Sequence, residues 1–169
     1  GEYLSNNIVA TKNLINASNY LGIKKFYFTS SSSVYGNKKK FPIKESFSLN
    51  PLNYYAKTKK KCEEILKENF TKKNVDLKIF RPFTVYGPYA RPDMFFITYF
   101  NALKNNKTFK LYNYGNYERD FTYVGDLVKI MVNFLKVPKS KNNIYNICSS
   151  KPVKLNYLIK IINKYTKKN

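Results

Sequence analysis

The chain has 169 residues, a formal net charge of +21 and 43% apolar residues, with 17% of all residues aromatic. That length fits one domain, and that apolar share is enough for a core and argues against disorder. There is no histidine and there are only two cysteines, Cys62 and Cys148, which excludes histidine catalysis and gives no metal site. Both cysteines read as buried free thiols of a reducing cytoplasm, and no apolar run approaches the length that spans a membrane. The 28 lysines are spread over every segment and no arginine-rich cluster occurs. The charge therefore reads as solvated lysine faces, with neither nucleic acid nor membrane as the expected partner. A non-catalytic basic fragment binding RNA or acidic surfaces is the alternative of another class, and a strongly salt-dependent RNA affinity would mark it.

In chain order, residues from about Tyr3 to Leu21 form an apolar stripe through Ile8, Val9, Leu14 and Ile15, which predicts a helix stopped by Gly22. Lys25 to Thr29 predicts a strand, followed by the hydroxyl run Ser30-Ser31-Ser32-Ser33 and Val34-Tyr35-Gly36. Hydroxyls directly after an apolar strand are wasted on packing and useful at a site, because open α/β sheets bind ligands beyond the carboxyl ends of their strands. A polar loop over residues 37 to 50 precedes a predicted helix from about Pro51 to Phe70, with proline in its first turn. Val75 to Phe80 is a further strand, Met94 to Lys104 a helix and Thr108 to Tyr112 a short strand. Arg119 to Val124 reads as a strand, Asp126 to Leu135 as a helix, Asn143 to Cys148 as a buried strand and Leu155 to Tyr165 as a helix. Strands alternating with helices predict an α/β fold on a doubly wound parallel sheet.

Within the helix after the serine run, Tyr55 and Lys59 are four residues apart and share a face. An ammonium beside a phenol favours the phenolate and so makes a base. The spacing carries little by itself. Tyr20/Lys24 and Tyr35/Lys39 show it too, about as many pairs as chance placement gives among 16 tyrosines and 28 lysines. Only Tyr55/Lys59 follows a hydroxyl-tipped strand. The three arginines, Arg81, Arg91 and Arg119, stand out in a lysine-rich chain, since arginine is kept where a planar fork must hold phosphate or carboxylate.

Ser30 to Gly36, followed by Asn50-Pro51-Leu52-Asn53-Tyr54-Tyr55-Ala56-Lys57-Thr58-Lys59, resembles the extended short-chain dehydrogenase/reductases, in particular the NAD-dependent nucleotide-sugar epimerases and dehydratases. Arg81-Pro82-Phe83-Thr84-Val85-Tyr86-Gly87-Pro88, running on to Arg91-Pro92-Asp93-Met94, and Arg119 to Val124 resemble the UDP-glucuronate 4-epimerases. The resemblance covers nearly the whole chain. It implies a Rossmann-like fold, NAD as cofactor and a UDP-sugar as substrate. It further implies an isomerase of carbohydrate metabolism that oxidises the sugar transiently at C4 and acts as a homodimer in its full length.

The same resemblance implies the site. Tyr55 takes the proton of the sugar 4-hydroxyl, Lys59 lowers the tyrosine pKa and holds the nicotinamide ribose, and Ser31 shares a hydrogen bond with the sugar hydroxyl. Asn7 and Phe83 contact the cofactor. Ser32, Ser33 and Thr84 face the sugar, Tyr112 the uridine and Arg119 the diphosphate. Arg91 pairs the carboxylate of a hexuronic acid, whose burial unpaired would be costly. The related 4,6-dehydratases and UDP-glucuronate decarboxylases carry acidic residues where this chain has Ser32 and Ser33, and a serine cannot serve as their general acid or base at neutral pH. Epimerisation is therefore preferred, with dehydratase, decarboxylase or a neutral-sugar UDP-glucose 4-epimerase as alternatives. The Gly-x-x-Gly-x-x-Gly turn that opens this family is not among the six glycines. The chain is thus expected to be an internal fragment lacking the first strands. Residues 1–87 are read as the C-terminal part of the dinucleotide-binding domain and 88–169 as a substrate-binding region.

Overall fold

The protein is described by a computed structural model covering residues 1–71, 73–139 and 143–166, with the Tyr112 side chain outside that description. A π-helical stretch, Leu4–Val9, runs into α1 (Ala10–Tyr20), and β1 (Lys25–Thr29) leads into a 3-10 turn, Ser32–Tyr35. Helix α2 (Tyr54–Phe70), β2 (Asp76–Pro82), β3 (Thr84–Tyr86), α3 (Phe95–Lys104) and β4 (Glu118–Tyr123) follow, then α4 (Val124–Phe134), β5 (Ile144–Ile147), β6 (Pro152–Lys154) and α5 (Leu155–Thr166). Among the described residues no helix is long and apolar enough to cross a membrane.

The chain divides into two compact units. The first comprises Gly1–Phe83 and Leu135–Ile147. Its sheet has the order β1-β2-β5, all parallel, with Lys25 opposite Asp76 and Ile79 opposite Ile144. A parallel pair needs a long crossover, and α2 supplies it between β1 and β2. Leu77 and Ile79 of β2 pack with Ile15 of α1 and with Ile65, Leu66 and Phe70 of α2, joined by Phe26 and Phe28 from the same face of β1. Every residue of β2 is buried, as expected for a central parallel strand. Three of its seven residues are nevertheless charged, and they are satisfied internally. Lys78 Nζ lies 2.7 Å from Asp76 Oδ1, and Arg81 pairs with Glu63 of α2.

The second unit comprises Thr84–Phe134 and the segment from Cys148 on. β3 and β4 pair in parallel, whereas β4 and β6 pair antiparallel, with Arg119 opposite Val153. Aromatic rings fill it. Phe95 stacks on Tyr99 at 5.7 Å, and Phe109 meets both edge-on.

Several expectations need correction. Helix α2 starts three residues later than predicted. Asn53 is its N-cap, with Oδ1 accepting from Ala56 N at 2.8 Å, so Pro51 stands outside the first turn; a side chain that satisfies an orphan N–H fixes the start. The strand expected over Thr108 to Tyr112 is absent. The chain instead enters a tight turn, Tyr112–Gly115, in which Asn113 and Tyr114 adopt positive φ. Strand β6 was not anticipated. β5 is mostly half-buried rather than buried, and of the two thiols only Cys62 is buried, Cys148 being intermediate.

Candidate active site

In the first unit the serine run is folded by its own hydroxyls. Ser30 N closes the ladder of β1 and β2 by donating to Phe80 O at 2.7 Å. Ser31 is extended and caps the 3-10 turn, its Oγ accepting from Ser33 N at 3.2 Å and from Ser33 Oγ at 2.9 Å. Gly36 ends the turn at φ 66°, and a Cβ there would lie 1.9 Å from Asn50 O, so the two backbones can approach only through a glycine. Tyr35 is fully buried, and its hydroxyl donates to Asn146 Oδ1 at 2.7 Å.

Helix α2 carries Tyr55 and Lys59 one turn apart, and Lys59 reaches the end of the strand that the serine run follows. Lys59 Nζ donates to Thr29 O at 2.9 Å, at the C-terminal end of β1. It lies 4.8 Å from the Phe28 ring centroid and 6.0 Å from that of Tyr55. Burial lowers the Lys59 pKa from its ordinary value, with Cys62 opposing the effect. The Tyr55 ring packs 5.8 Å from Tyr3. Asn7 reaches the same helix: its Nδ2 donates to Thr58 Oγ1 at 2.9 Å, and that hydroxyl donates to Tyr55 O at 2.8 Å. Phe83, half-buried just after β2, donates its N–H to Ile147 O at 2.9 Å. The Lys59–Thr29 bond thus ties the helix face that carries Tyr55 to the strand end from which the serine run leaves.

In the second unit Thr84 opens β3, half-buried and opposite Phe121 of β4. Arg91 spends its fork on a neighbour, Nε and Nη2 donating to Asp93 Oδ1 and Oδ2 at 3.0 and 3.1 Å, with both side chains about 70% exposed. Arg119 is exposed on β4, its guanidinium 5.7 Å from the Tyr117 ring. Tyr112 opens the turn described above, and its side chain lies outside the described residues.

Residues 1–148 match the family described as the NAD dependent epimerase/dehydratase family. The chain belongs to that family. It is 33% identical to the UDP-glucuronate 4-epimerase of Thermodesulfobacterium geofontis over 95% of its own length and 49% of that protein's. Its fold is similar to the UDP-glucuronic acid 4-epimerase of Bacillus cereus solved with UDP-glucuronic acid and NAD. That match has a TM-score of 0.88 and 30% identity, and covers 98% of this chain and 53% of the other. It is equally similar to the UDP-N-acetylglucosamine 4-epimerase of Methanobrevibacter ruminantium in complex with UDP-N-acetylmuramic acid. There the TM-score is 0.89 with 31% identity, over 99% of this chain and 55% of the other. The chain spans about half the length of the curated relatives it matches.

For an epimerase/dehydratase family member, the residues that sequence reasoning passed over are those behind the site. Thr58 links Asn7 to the helix, while Glu63, Tyr35 and Asn146 surround Arg81. Glu63 did carry a signal. It lies eight residues after Tyr55 and four after Lys59, on their helix face.

Proposed function

We propose that this chain carries the acid–base centre of an NAD-dependent nucleotide-sugar 4-epimerase acting on UDP-glucuronate and UDP-galacturonate. The observation that carries the proposal is the placement of Tyr55 and Lys59 one turn apart on α2, with Lys59 bonded to the last residue of β1 beside the Ser31 turn. The same corner suits the nicotinamide half of a dinucleotide. An ammonium has three donors, so the bond to Thr29 leaves Lys59 able to hold a ribose hydroxyl, with Asn7 and Phe83 on the elements beside it. When bound, NAD would supply a reversible hydride acceptor for C4 of the sugar. Tyr55, as phenolate, takes the proton from the 4-hydroxyl as the 4-keto sugar forms, and returns it once the hydride has been delivered to the other face. Lys59 supplies the positive charge that stabilises the phenolate. The Ser31 oxygen accepts from Ser33 twice, so its own proton is available to the sugar oxygen. Ser32 and Ser33 contact the sugar; the second unit keeps the roles expected from the resemblance, Thr84 toward the sugar and Arg119 toward the diphosphate. Two free thiols suit a reducing cytoplasm. Incubation of the full-length enzyme that carries this chain with NAD and UDP-glucuronate should yield UDP-galacturonate by anion-exchange chromatography. A full-length enzyme that converts neither this nor any other UDP-sugar would refute the proposal.

A second reading is favoured by one observation. Arg91, assigned to the uronate carboxylate, already holds Asp93. A uronic acid would have to exchange with that carboxylate, whereas a neutral sugar would leave the pair intact. Arg91→Ala decides between them. If Arg91 reads the carboxylate, kcat/KM for UDP-glucuronate falls by roughly 100-fold and that for UDP-glucose by less than about threefold, since an unpaired buried carboxylate is heavily penalised. Equal losses assign a neutral-sugar epimerase.

The pH profile tests Lys59. Because burial lowers its pKa, Lys59 loses its charge below the ordinary lysine range, and support for the phenolate is lost as pH rises through that lowered value. The alkaline decline of kcat should therefore begin below the ordinary lysine value of 10.5. Lys59→Arg, which stays charged at all accessible pH, should move the decline upward while reducing kcat near neutrality. A decline at the same pH in both proteins would remove Lys59 from the mechanism.

A further inference from the structure

Tyr55, Lys59 and Glu63 succeed one another at four-residue steps along one face of α2. Lys59 is bonded to Thr29 O at 2.9 Å, and Glu63 to the next residue, Oε1 accepting from Ser30 Oγ at 2.6 Å. The same carboxylate fills the fork of Arg81, with Nε to Oε1 at 2.9 Å and Nη2 to Oε2 at 2.5 Å. Both residues are 1% exposed. Arg81 carries the connection onward, Nη1 donating to the Tyr35 hydroxyl at 2.8 Å and to Glu45 O at 3.3 Å. Tyr35 is the last residue of the serine turn and is itself bonded to Asn146 of β5. One buried carboxylate is thus fastened to the end of β1, to the centre of the sheet through β2 and, through Arg81, to the far end of the turn that carries Ser31. Burial alone would lower the Arg81 pKa, but the hydrogen bonds and charge of Glu63 push it above its usual value. The fork is therefore a permanent cation held by internal partners rather than an anion site.

A pair this dry is not required for folding as such, because buried ion pairs are often replaceable by apolar residues of similar volume. What apolar contacts lack is direction. They would let α2 turn or slide against the sheet, whereas a bidentate fork and a serine hydroxyl fix both its rotation and its height. We propose that Glu63 and Arg81 are positioning residues that set the rotation of α2, and so hold Tyr55 and Lys59 in register with the serine turn. This rests on the assignment of Tyr55 and Lys59 as the acid–base pair.

The test uses the full-length enzyme that carries this chain and its double variant Glu63→Leu/Arg81→Met. The variant should fold with a cooperative melt, yet kcat for epimerisation should fall on the order of 100-fold, the loss that a misplacement of about 1 Å produces. KM should stay within about threefold, and the acid limb of kcat should move to higher pH as the Tyr55 phenolate loses the hydroxyl that the serine turn offers it. Unchanged kcat and an unchanged acid limb in the folded variant would overturn the proposal and leave the pair as packing. If the double variant does not fold, Arg81→Lys, which keeps the charge but not the planar fork, must show the same pattern in smaller measure. Its absence there would be equally decisive. If the unaltered full-length enzyme epimerises no UDP-sugar, the proposed function fails separately. The positioning role is then read from the Tyr55 phenol, as the difference in ultraviolet titration between each protein and its Tyr55→Phe counterpart. The Tyr55 titration should shift upward in the variant, and an unshifted titration refutes the role.

Discussion

Tyr55→Phe is expected to lower epimerisation by roughly 10³-fold, within the range that a single positioned acid–base group contributes. The substitution removes only the hydroxyl. The ring packing on Tyr3 at 5.8 Å and the bond from Lys59 to Thr29 do not depend on it, so thermal unfolding should change little beside the loss of rate. The reverse pattern, a large drop in stability with turnover within about tenfold of the parent, would make Tyr55 a structural tyrosine. The assay is conversion of UDP-glucuronate by the full-length enzyme with NAD, run with a deuterium label at C4 of the substrate. A variant that still bound substrate and cofactor but transferred no label would place the loss at the chemical step.

Glu63→Ala should be the most damaging single change to stability. It leaves the Arg81 guanidinium, 1% exposed, without its carboxylate, and breaking a buried pair in this way costs about 3–5 kcal/mol. For a chain of this size the melting temperature should fall by roughly 10 °C. The Ser30 hydroxyl loses its acceptor as well. Glu63→Leu/Arg81→Met should regain most of that loss, because both charges leave the core together. Its stability should lie within about 2 kcal/mol of the parent, with Ser30 and Tyr35 each short of one partner. Denaturant titration of the three proteins measures both quantities. If Glu63→Ala unfolded at the same denaturant concentration as the parent, the network would carry no energetic weight. If the double variant were as unstable as the single one, the damage would come from lost shape rather than stranded charge.

The sequence by itself determined the elements whose periodicity is local. Strand β1 and the serine run, the helix with Tyr55 and Lys59 on one face, and the alternation of strand and helix that forces parallel pairing were legible. So was the resemblance to the NAD-dependent epimerases and dehydratases, because several motifs recur in the right order. Short elements were not legible. Strand β6 has three residues, too few to show a period, and its antiparallel pairing with β4 has no signature in spacing. The start of α2 turned on which asparagine side chain could reach an N–H, and only the backbone at Asn53 answers that. The arginines show the limit most clearly. Their rarity singled out all three, but not their partners. Arg91 found a carboxylate two residues away, whereas Arg81 found one 18 residues away and a phenol 46 residues away. Asn146 meets Tyr35 across 111 residues. A guanidinium fork accepts any carboxylate brought to it with the right geometry. Composition can therefore announce that arginine is needed, but only the tertiary structure, by closing helix α2 onto the sheet, decides what the fork holds.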